Sequence, residues 1–566
     1  MKNCFIYSVV VLLLKMPLIA QTVYLPATHE VYHFLDAMAA KQIIHDYRDA
    51  VKPLSRHAIA MFLVQVDSLS SRLTTVEGDE LRFYKEEFFQ EIRSLGYGNL
   101  TDGRWHVYTY ESEPTRLSID VIGSVSENHQ ADGKTLSETT NGISIYGNIG
   151  NSVGAYFYYH DSHDGGSYVS TLGTQSGSQA SLRPLSPLPA VVSSTPGVST
   201  STFDYDLFYG QVNVDYGFVT LTAEQMPNVW GSGENGNLIL SNKAPAYPQL
   251  KLHARLSKDI DFTYIHGWLF SGIVDSSRSY TDERGSLRTL YMQKYIAANM
   301  LECTPWNGVN IAVGESEIYG GSGRSPELLY LIPIMLFKSA EHYLDDEDNS
   351  QIFFNFKLTA VKNFDFYLPI FVDEFRTSTF LSPTQNHNQV GFTLGGDAYD
   401  LFYHDTRINV EYTRINPWVY NHQYAEDTYQ NHVVTLGDWI GQNADLFSVS
   451  VYHRPAYNLE IGLKFQSLRK GGKEDTYYQY GAPEPDFLYG PLTKEQSFGI
   501  VASYQPLRDL FVDFHAFRTR FTTGMTAAYT DVRGYNEFLN NTFDYLLDPG
   551  YAGKYDILIG VRYNLF

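Results

Sequence analysis

Cysteine is nearly absent from this 566-residue chain, which holds only Cys4 and Cys303. Cys4 lies between Lys2 and the start of an apolar run, Phe5–Leu14, that leads to a small-residue site at Ala20. This is the pattern of a secretory signal peptide, residues 1–20. Cys4 stands too early in it to be a lipidated cysteine, and removing the segment leaves Cys303 alone, which excludes an internal disulfide framework. Long apolar runs are missing too. The longest later stretch, Leu328–Phe337, contains Pro333 and has about half of the roughly 18 residues that a membrane helix needs. With a mean hydropathy of −0.24, the chain is no helical membrane protein. Basic residues are scarce: 41 Lys and Arg face 63 Asp and Glu, giving a net charge of −22, and losing Lys2 and Lys15 takes it to −24. Phosphate binding needs clustered cations, so nucleic acid is excluded as a partner. Acidic surface loops suit a lipopolysaccharide surface, where divalent cations bridge like charges.

Aromatic residues and strict alternation are plentiful. The chain has 44 Tyr and 34 Phe, a supply that fits the aromatic girdles of a transmembrane β-barrel. In Lys554–Phe566, Tyr555, Ile557, Ile559, Val561, Tyr563 and Leu565 alternate with Asp556, Gly560, Arg562 and Asn564, and only Phe566 falls out of phase. A period of two marks a strand that is apolar on one face. At the end of an exported chain it reads as the closing strand of an outer-membrane barrel, the segment offered to the barrel-assembly machinery.

The same alternation gives strands near 116–126, 141–150, 153–160, 203–216, 217–225, 249–257, 261–270, 288–304, 308–319, 351–361, 364–375, 388–400, 405–417, 445–455, 458–469, 496–506, 510–523 and 554–566. These are about 18 antiparallel strands, an even number as single-chain bacterial barrels require. Their connections alternate between short ones, such as Asn151–Ser152, Lys258–Ile260, Lys362–Asn363 and Arg508–Asp509, and long ones, such as 161–202, 226–248, 320–350, 418–444, 470–495 and 524–553. Short periplasmic turns opposite long extracellular loops account for that parity, whereas a β-sandwich gives no reason for it. The count holds if Arg104–Glu111, which also alternates, does not span. Residues 161–202 are rich in Ser, Gly, Pro and Thr, the composition of a mobile loop. The apolar content of 226–248 and 320–350 predicts that both fold inward or against one another.

Residues 21–103 follow a helical period and form a small periplasmic bundle ahead of the barrel at 104–566. Ser55 caps a helix to about Leu73, with Leu54 and Ile59 as a hydrophobic staple. A second runs from about Asp79 to Leu95 and stops at Gly96, and a third covers His29–Tyr47.

Several motifs have a functional and a structural reading. Gly231, Gly233 and Gly236 match a dinucleotide fingerprint, but no βαβ unit follows, so they read as loop glycines. His160, Asp161, His163 and Asp164 resemble metal ligands, yet HDSHDGG is a natural polar turn. The run Asp345–Asp348 lacks the ordered spacing of a calcium loop, so no metal or other cofactor is expected. No GxSxG elbow is present. Glu315 and Glu317 share a strand face and would line the lumen, as binding carboxylates or as a plain polar interior.

Seven stretches together resemble the capsule assembly Wzi family: residues 25–44, 52–63, Trp230–Gly233, 237–248, 314–321, 411–422 and 436–447. The resemblance implies an outer-membrane barrel with a periplasmic helical bundle, a non-enzymatic lectin that holds capsular or exopolysaccharide on the cell surface. Trp230, Asn242, Trp418, Tyr420, Asn421, His422 and Asn443 then fall in extracellular loops. Their aromatic faces and amides suit sugar rings and hydroxyls; the structural alternative is that they pin loops into a plug. A passive porin and a barrel hydrolase are the competing functions.

Overall fold

The computed structural model describes residues 23–564, apart from 99, 113–114, 131–132, 134, 151, 167–171, 176–177, 182–190, 193–201, 347, 375–387, 433, 473–485 and 526–553. The expected signal peptide, the tip of the 161–202 loop and Phe566 lie outside the described residues.

Eighteen antiparallel strands among the described residues close into one barrel. In chain order they are β1 Thr115–Gln130, β2 Thr135–Ile149, β3 Val153–Gly166, β4 Thr202–Asp215, β5 Val219–Gln225 and β6 Pro248–Ser257. Then come β7 Ile260–Val274, β8 Tyr291–Trp306, β9 Val309–Gly321, β10 Asn349–Leu358, β11 Phe364–Glu374 and β12 Gln389–Tyr399. The last six are β13 Thr406–Ile415, β14 Ala444–Ala456, β15 Leu459–Lys470, β16 Pro491–Leu507, β17 Leu510–Met525 and β18 Lys554–Tyr563. Closure is by β18 on β1, from Asp556↔Gln130 to Tyr563↔Gly123. The strand Tyr108–Ser112 pairs with Thr115–Ile119 of β1, beyond the point where β18 ends, so it lengthens one wall without spanning.

Alternation sets the two faces. Outward-pointing Val121, Val125, Val313, Ile352, Leu394, Val410, Ile557, Ile559 and Val561 are exposed and form an apolar belt. Inward neighbours such as Ser118, Asp120, Asn355, Thr413 and Asp556 are buried and polar. An apolar outside around a polar lumen is the inverse of a soluble barrel and the pattern that hydrocarbon demands.

Several local expectations are corrected. The HDSHDGG stretch is strand, not turn: β3 runs to Gly166, with Asp161↔Asp206 and His163↔Asp204 in register with β4. His163 holds Asp204 at 2.5 Å and His160 holds Ser162 at 2.9 Å, so both histidines serve the local sheet. The helix expected over His29–Tyr47 is α1 Val31–Ala40, and the backbone turns left-handed at Gln42 and Asp46.

The remaining helices of the head follow their caps. α2 Arg56–Ser68 starts where the Ser55 hydroxyl accepts the Ala58 N–H, and α3 Thr75–Glu87 starts at a capping box of Thr74 and Glu77. The segment expected as one helix to Leu95 breaks at Phe88, after which α4 Phe89–Ser94 begins. Val31, Leu35, Met38, Ile59, Leu63, Val66, Leu81, Phe88 and Ile92 make the core of the bundle. Ser55→Ala removes one cap and is expected to destabilise the head by about 1 kcal/mol, measurable by limited proteolysis.

The head seats on the short-turn mouth of the barrel through charged contacts. Arg48 meets Asp261 at 2.6 Å, Arg508 meets Glu86 at 2.8 Å, and Arg104 meets Asp509 at 2.9 Å. Lys41 meets Asp400 at 2.5 Å, and Arg454 bridges Glu80 and Glu460. Between head and barrel, His106 lies 2.8 Å from Asp102 and 2.7 Å from Asp120. Burial alone would lower the imidazole, but hydrogen bonds to the two carboxylates raise it to about 9. Its stabilisation is therefore complete below the ordinary value near 6.5 and is lost as pH rises through about 9. Melting curves between pH 7 and 10 should show that loss, and His106→Gln should flatten it.

Candidate functional site

The long loop 226–247 turns into the barrel instead of outward. Val229 and Trp230 pair with Lys52 and Val51 of the head, and the Gly231 N–H reaches Ala50 O at 2.8 Å. Thus a loop rooted at the long-loop end touches the bundle that caps the other end. The three glycines explain how it fits. Gly231 has φ +87°, a Cβ on Gly233 would sit 2.0 Å from Gly236 O, and a Cβ on Gly236 would meet the Asp438 carboxylate. Their spacing serves close packing of backbone, not a nucleotide.

Polar groups fix this loop to the wall. The Ser232 N–H donates to Asn355 at 2.9 Å, and the Glu411 carboxylate accepts from the Glu234 and Asn235 N–H groups at 2.7 and 3.1 Å. Arg407 grips Glu234 through both guanidinium ends, at 2.8 and 3.0 Å. Loop 416–443 packs against it: Tyr420 and Tyr429 stack at 5.6 Å and donate to Leu238 O and Ile239 O, at 2.7 and 2.8 Å. Asn431 donates to Pro245 O, and the Ser241 N–H to Leu436 O. Trp230, Leu238, Ile239, Leu240, Tyr247, Val419, Tyr420, Tyr429 and Leu436 join inward-facing Ile265, Ile296, Ile318, Phe353 and Phe371 in one buried core. That core is a plug.

Five of the seven residues singled out in the sequence belong to the plug or its frame. Trp230 is fully buried against Phe353, Trp418 sits at φ +64° with its N–H on Gln442, and Tyr420 takes the Asp373 carboxylate on its N–H. Asn443 accepts the Leu488 N–H at 2.7 Å and donates to Gly472 O at 2.8 Å. Asn242 is half-buried in the inward loop. Trp230, Trp418 and Tyr420 are buried and leave no aromatic face to solvent.

Asn421 and His422 lie elsewhere, on a polar recess of about 150 Å³ at the long-loop rim. Its other walls are Asp373 and Glu374 at the top of β11, Gln389 at the start of β12, Asp348, Asn349 and Ser350 before and in β10, and Lys338 and Glu341 of α5 Phe337–Leu344. Gln423 completes it. Sequence reasoning misses most of this lining, because strands β10–β12 and two distant loops supply it. Burial, and next the Asp348 and Glu426 carboxylates, push the neighbouring Asp427 up to about 8. Burial likewise raises Asp348, although Arg324 clasps it. The rim thus concentrates carboxyl groups with one lysine among them.

Glu315 and Glu317 are not in the lumen. They share the outward face of β9 with exposed Val313, and the register with β8 is unbroken from Gln293↔Gly321 to Cys303↔Ile311. They are shielded because loop 322–348 folds over the outside of the wall, which also corrects the expectation that this loop turns inward.

The family model for capsule assembly protein Wzi matches residues 124–526. No curated protein matches the chain. Among solved structures, that of Wzi from Escherichia coli, described as an outer membrane protein involved in group 1 capsule assembly and a carbohydrate-binding β-barrel, has a TM-score of 0.54 at 11% identity. It covers 96% of this chain and 100% of that one. OprD of Pseudomonas aeruginosa (TM-score 0.39, 11% identity, 79% of this chain and 93% of that one) is more distant. So is a BenF-like porin of Pseudomonas fluorescens Pf-5 (0.39, 9%, 79% and 99%). The family match covers well over half of the sequence and the E. coli likeness agrees on the fold: this 18-stranded outer-membrane barrel belongs to the capsule assembly Wzi family.

Proposed function

We propose that this barrel holds capsular or exopolysaccharide at the cell surface without making or breaking a bond in it, and that the polymer is met at the rim recess. One observation carries the reading: a polar recess opens at the long-loop mouth, and the plug beside it stands in the lumen between that mouth and the helical head. A chain of sugars arriving from outside meets a floor, not a pore. Asn421, His422, Gln423, Asn349 and Ser350 offer amide, imidazole and hydroxyl groups to sugar hydroxyls, and Glu341, Asp373 and Glu374 accept from them. A recess this acidic favours a neutral or weakly charged polymer. The buried residues Trp230, Trp418, Tyr420 and Asn443 serve by holding the floor in place, with Asn242 beside them. In this arrangement the head faces the periplasm and the apolar belt meets outer-membrane lipid and lipopolysaccharide. The C-terminal strand β18 is what the barrel-assembly machinery receives.

Titration of the full chain in nanodiscs with polymer purified from the parent strain tests the reading. Asn421→Ala with Gln423→Ala should weaken binding about tenfold by removing one or two hydrogen bonds. Saturable uptake of small solutes, with no affinity for polymer, would replace this function by that of a porin.

A further inference from the structure

Loop 322–348 does something unusual for a loop at a barrel rim: it lies on the outside of the wall. Outward-facing Tyr264, Tyr295, Ala297 and Tyr319 form one buried cluster with its Tyr330, Phe337 and Ala340. The contacts satisfy polar wall groups that would otherwise point into hydrocarbon. Tyr264 donates to Tyr330 O at 2.7 Å, Tyr295 to Arg324 O at 2.9 Å, and His266 meets the Tyr319 hydroxyl at 2.7 Å. The Ser350 hydroxyl sits between Glu341, at 2.7 Å, and Glu317, hydrogen-bonded to both carboxyl groups. Four charges of the loop are paired, Arg324 with Asp348 and Lys338 with Glu341.

Between Leu328 and Leu336 its other face is apolar and bare. Ile334 is 82% exposed, Leu328 71% and Leu336 65%, with Leu331 and Ile332 beside them. In water such a patch is costly. Around it the barrel wall presents Leu301, Val313 and Ile352, all exposed members of the apolar belt. Register fixes the height: Glu315, under the loop, pairs with Ile352, which pairs with Val372. The loop therefore overlaps the upper edge of the belt.

We propose that residues 324–346 form a saddle whose Leu328–Leu336 stretch is embedded in the outer leaflet, with Leu328, Ile334 and Leu336 against lipid acyl chains. Continuity with the belt selects lipid as the occupant, because the patch extends the surface that already faces hydrocarbon. The saddle hides polar wall groups on one side and offers apolar side chains on the other. Since α5 also supplies Lys338 and Glu341 to the rim recess, the recess is held at the level of the leaflet surface.

Spin labels on Ile334→Cys and Leu336→Cys, in a Cys303→Ser background of the full chain in lipid nanodiscs, test this. Both positions are exposed, so folding is not at issue; Val313→Cys marks the belt and Glu283→Cys the aqueous loops. Accessibility to oxygen exceeding that to a water-soluble nickel chelate at 334 and 336, as at 313, is the expected result. Chelate access as high as at 283 would place the loop in water and overturn the proposal. Poor access to both reagents would mean a second copy or another protein covers the patch, and would overturn it equally.

Discussion

Replacing Trp230–Ala244 by a short Gly-Ser turn should convert a non-conducting barrel into an open channel. The excised segment supplies Trp230, Leu238, Ile239 and Leu240 to the lumen core and carries the backbone acceptors for Tyr420 and Tyr429. Without it the two tyrosines lose partners and the second loop loses the surface on which it packs. A barrel of 16–18 strands with nothing inside leaves an aqueous passage. In planar bilayers the intact protein should give no steady steps, and the excised variant regular ones. Closed traces from the variant would show that other segments seal the lumen.

Lys357→Met should release the helical head. The ammonium lies 2.9 Å from Asp36, 2.9 Å from Asp49 and 3.2 Å from Asp365, all buried or nearly so. Lys52 reaches Asp49 at 3.1 Å but stands 3.9 Å from Asp36, so it replaces little of the lost charge. Removing one partner from a buried cluster strands the others, at a cost of about 3–5 kcal/mol. The exposed pair Lys85–Asp67 is the control, and Lys85→Met should cost under ~1 kcal/mol. Protease cleavage within residues 23–104 should rise sharply in the first variant and stay unchanged in the second.

Much of this architecture is legible in the sequence, because a barrel wall repeats one rule. Val313, Ile352 and Val410 alternate with polar neighbours whatever the loops do, and the short turns mark one end. What alternation cannot give is the fate of an apolar loop. Trp230–Leu240 is rich in glycine and polar residues and Leu328–Phe337 almost wholly apolar, yet the first enters the lumen and the second saddles the wall. The deciding partners are Phe353 and Phe371 on the lumen face for the first loop and Tyr264 and Tyr319 on the outer face for the second, and the composition of a loop does not say which face it will meet. Glu315 and Glu317 fail for the same reason: their strand is placed correctly, but a one-residue choice of phase decides whether a carboxylate faces lumen or lipid. HDSHDGG was opaque because β3 continues as β-structure with polar side chains on both faces, so no apolar alternation announces it. The rim recess shows least, since its walls come from α5, three strand ends and loop 416–443.

Retention of polysaccharide on living cells tests the central claim most directly. The fraction of polymer that stays cell-bound should be compared in the parent, a strain lacking the gene, and that strain carrying the Asn421→Ala, Gln423→Ala protein. The account predicts unchanged synthesis with polymer shed into the medium in the second and third strains. Full retention in the strain lacking the gene would contradict it.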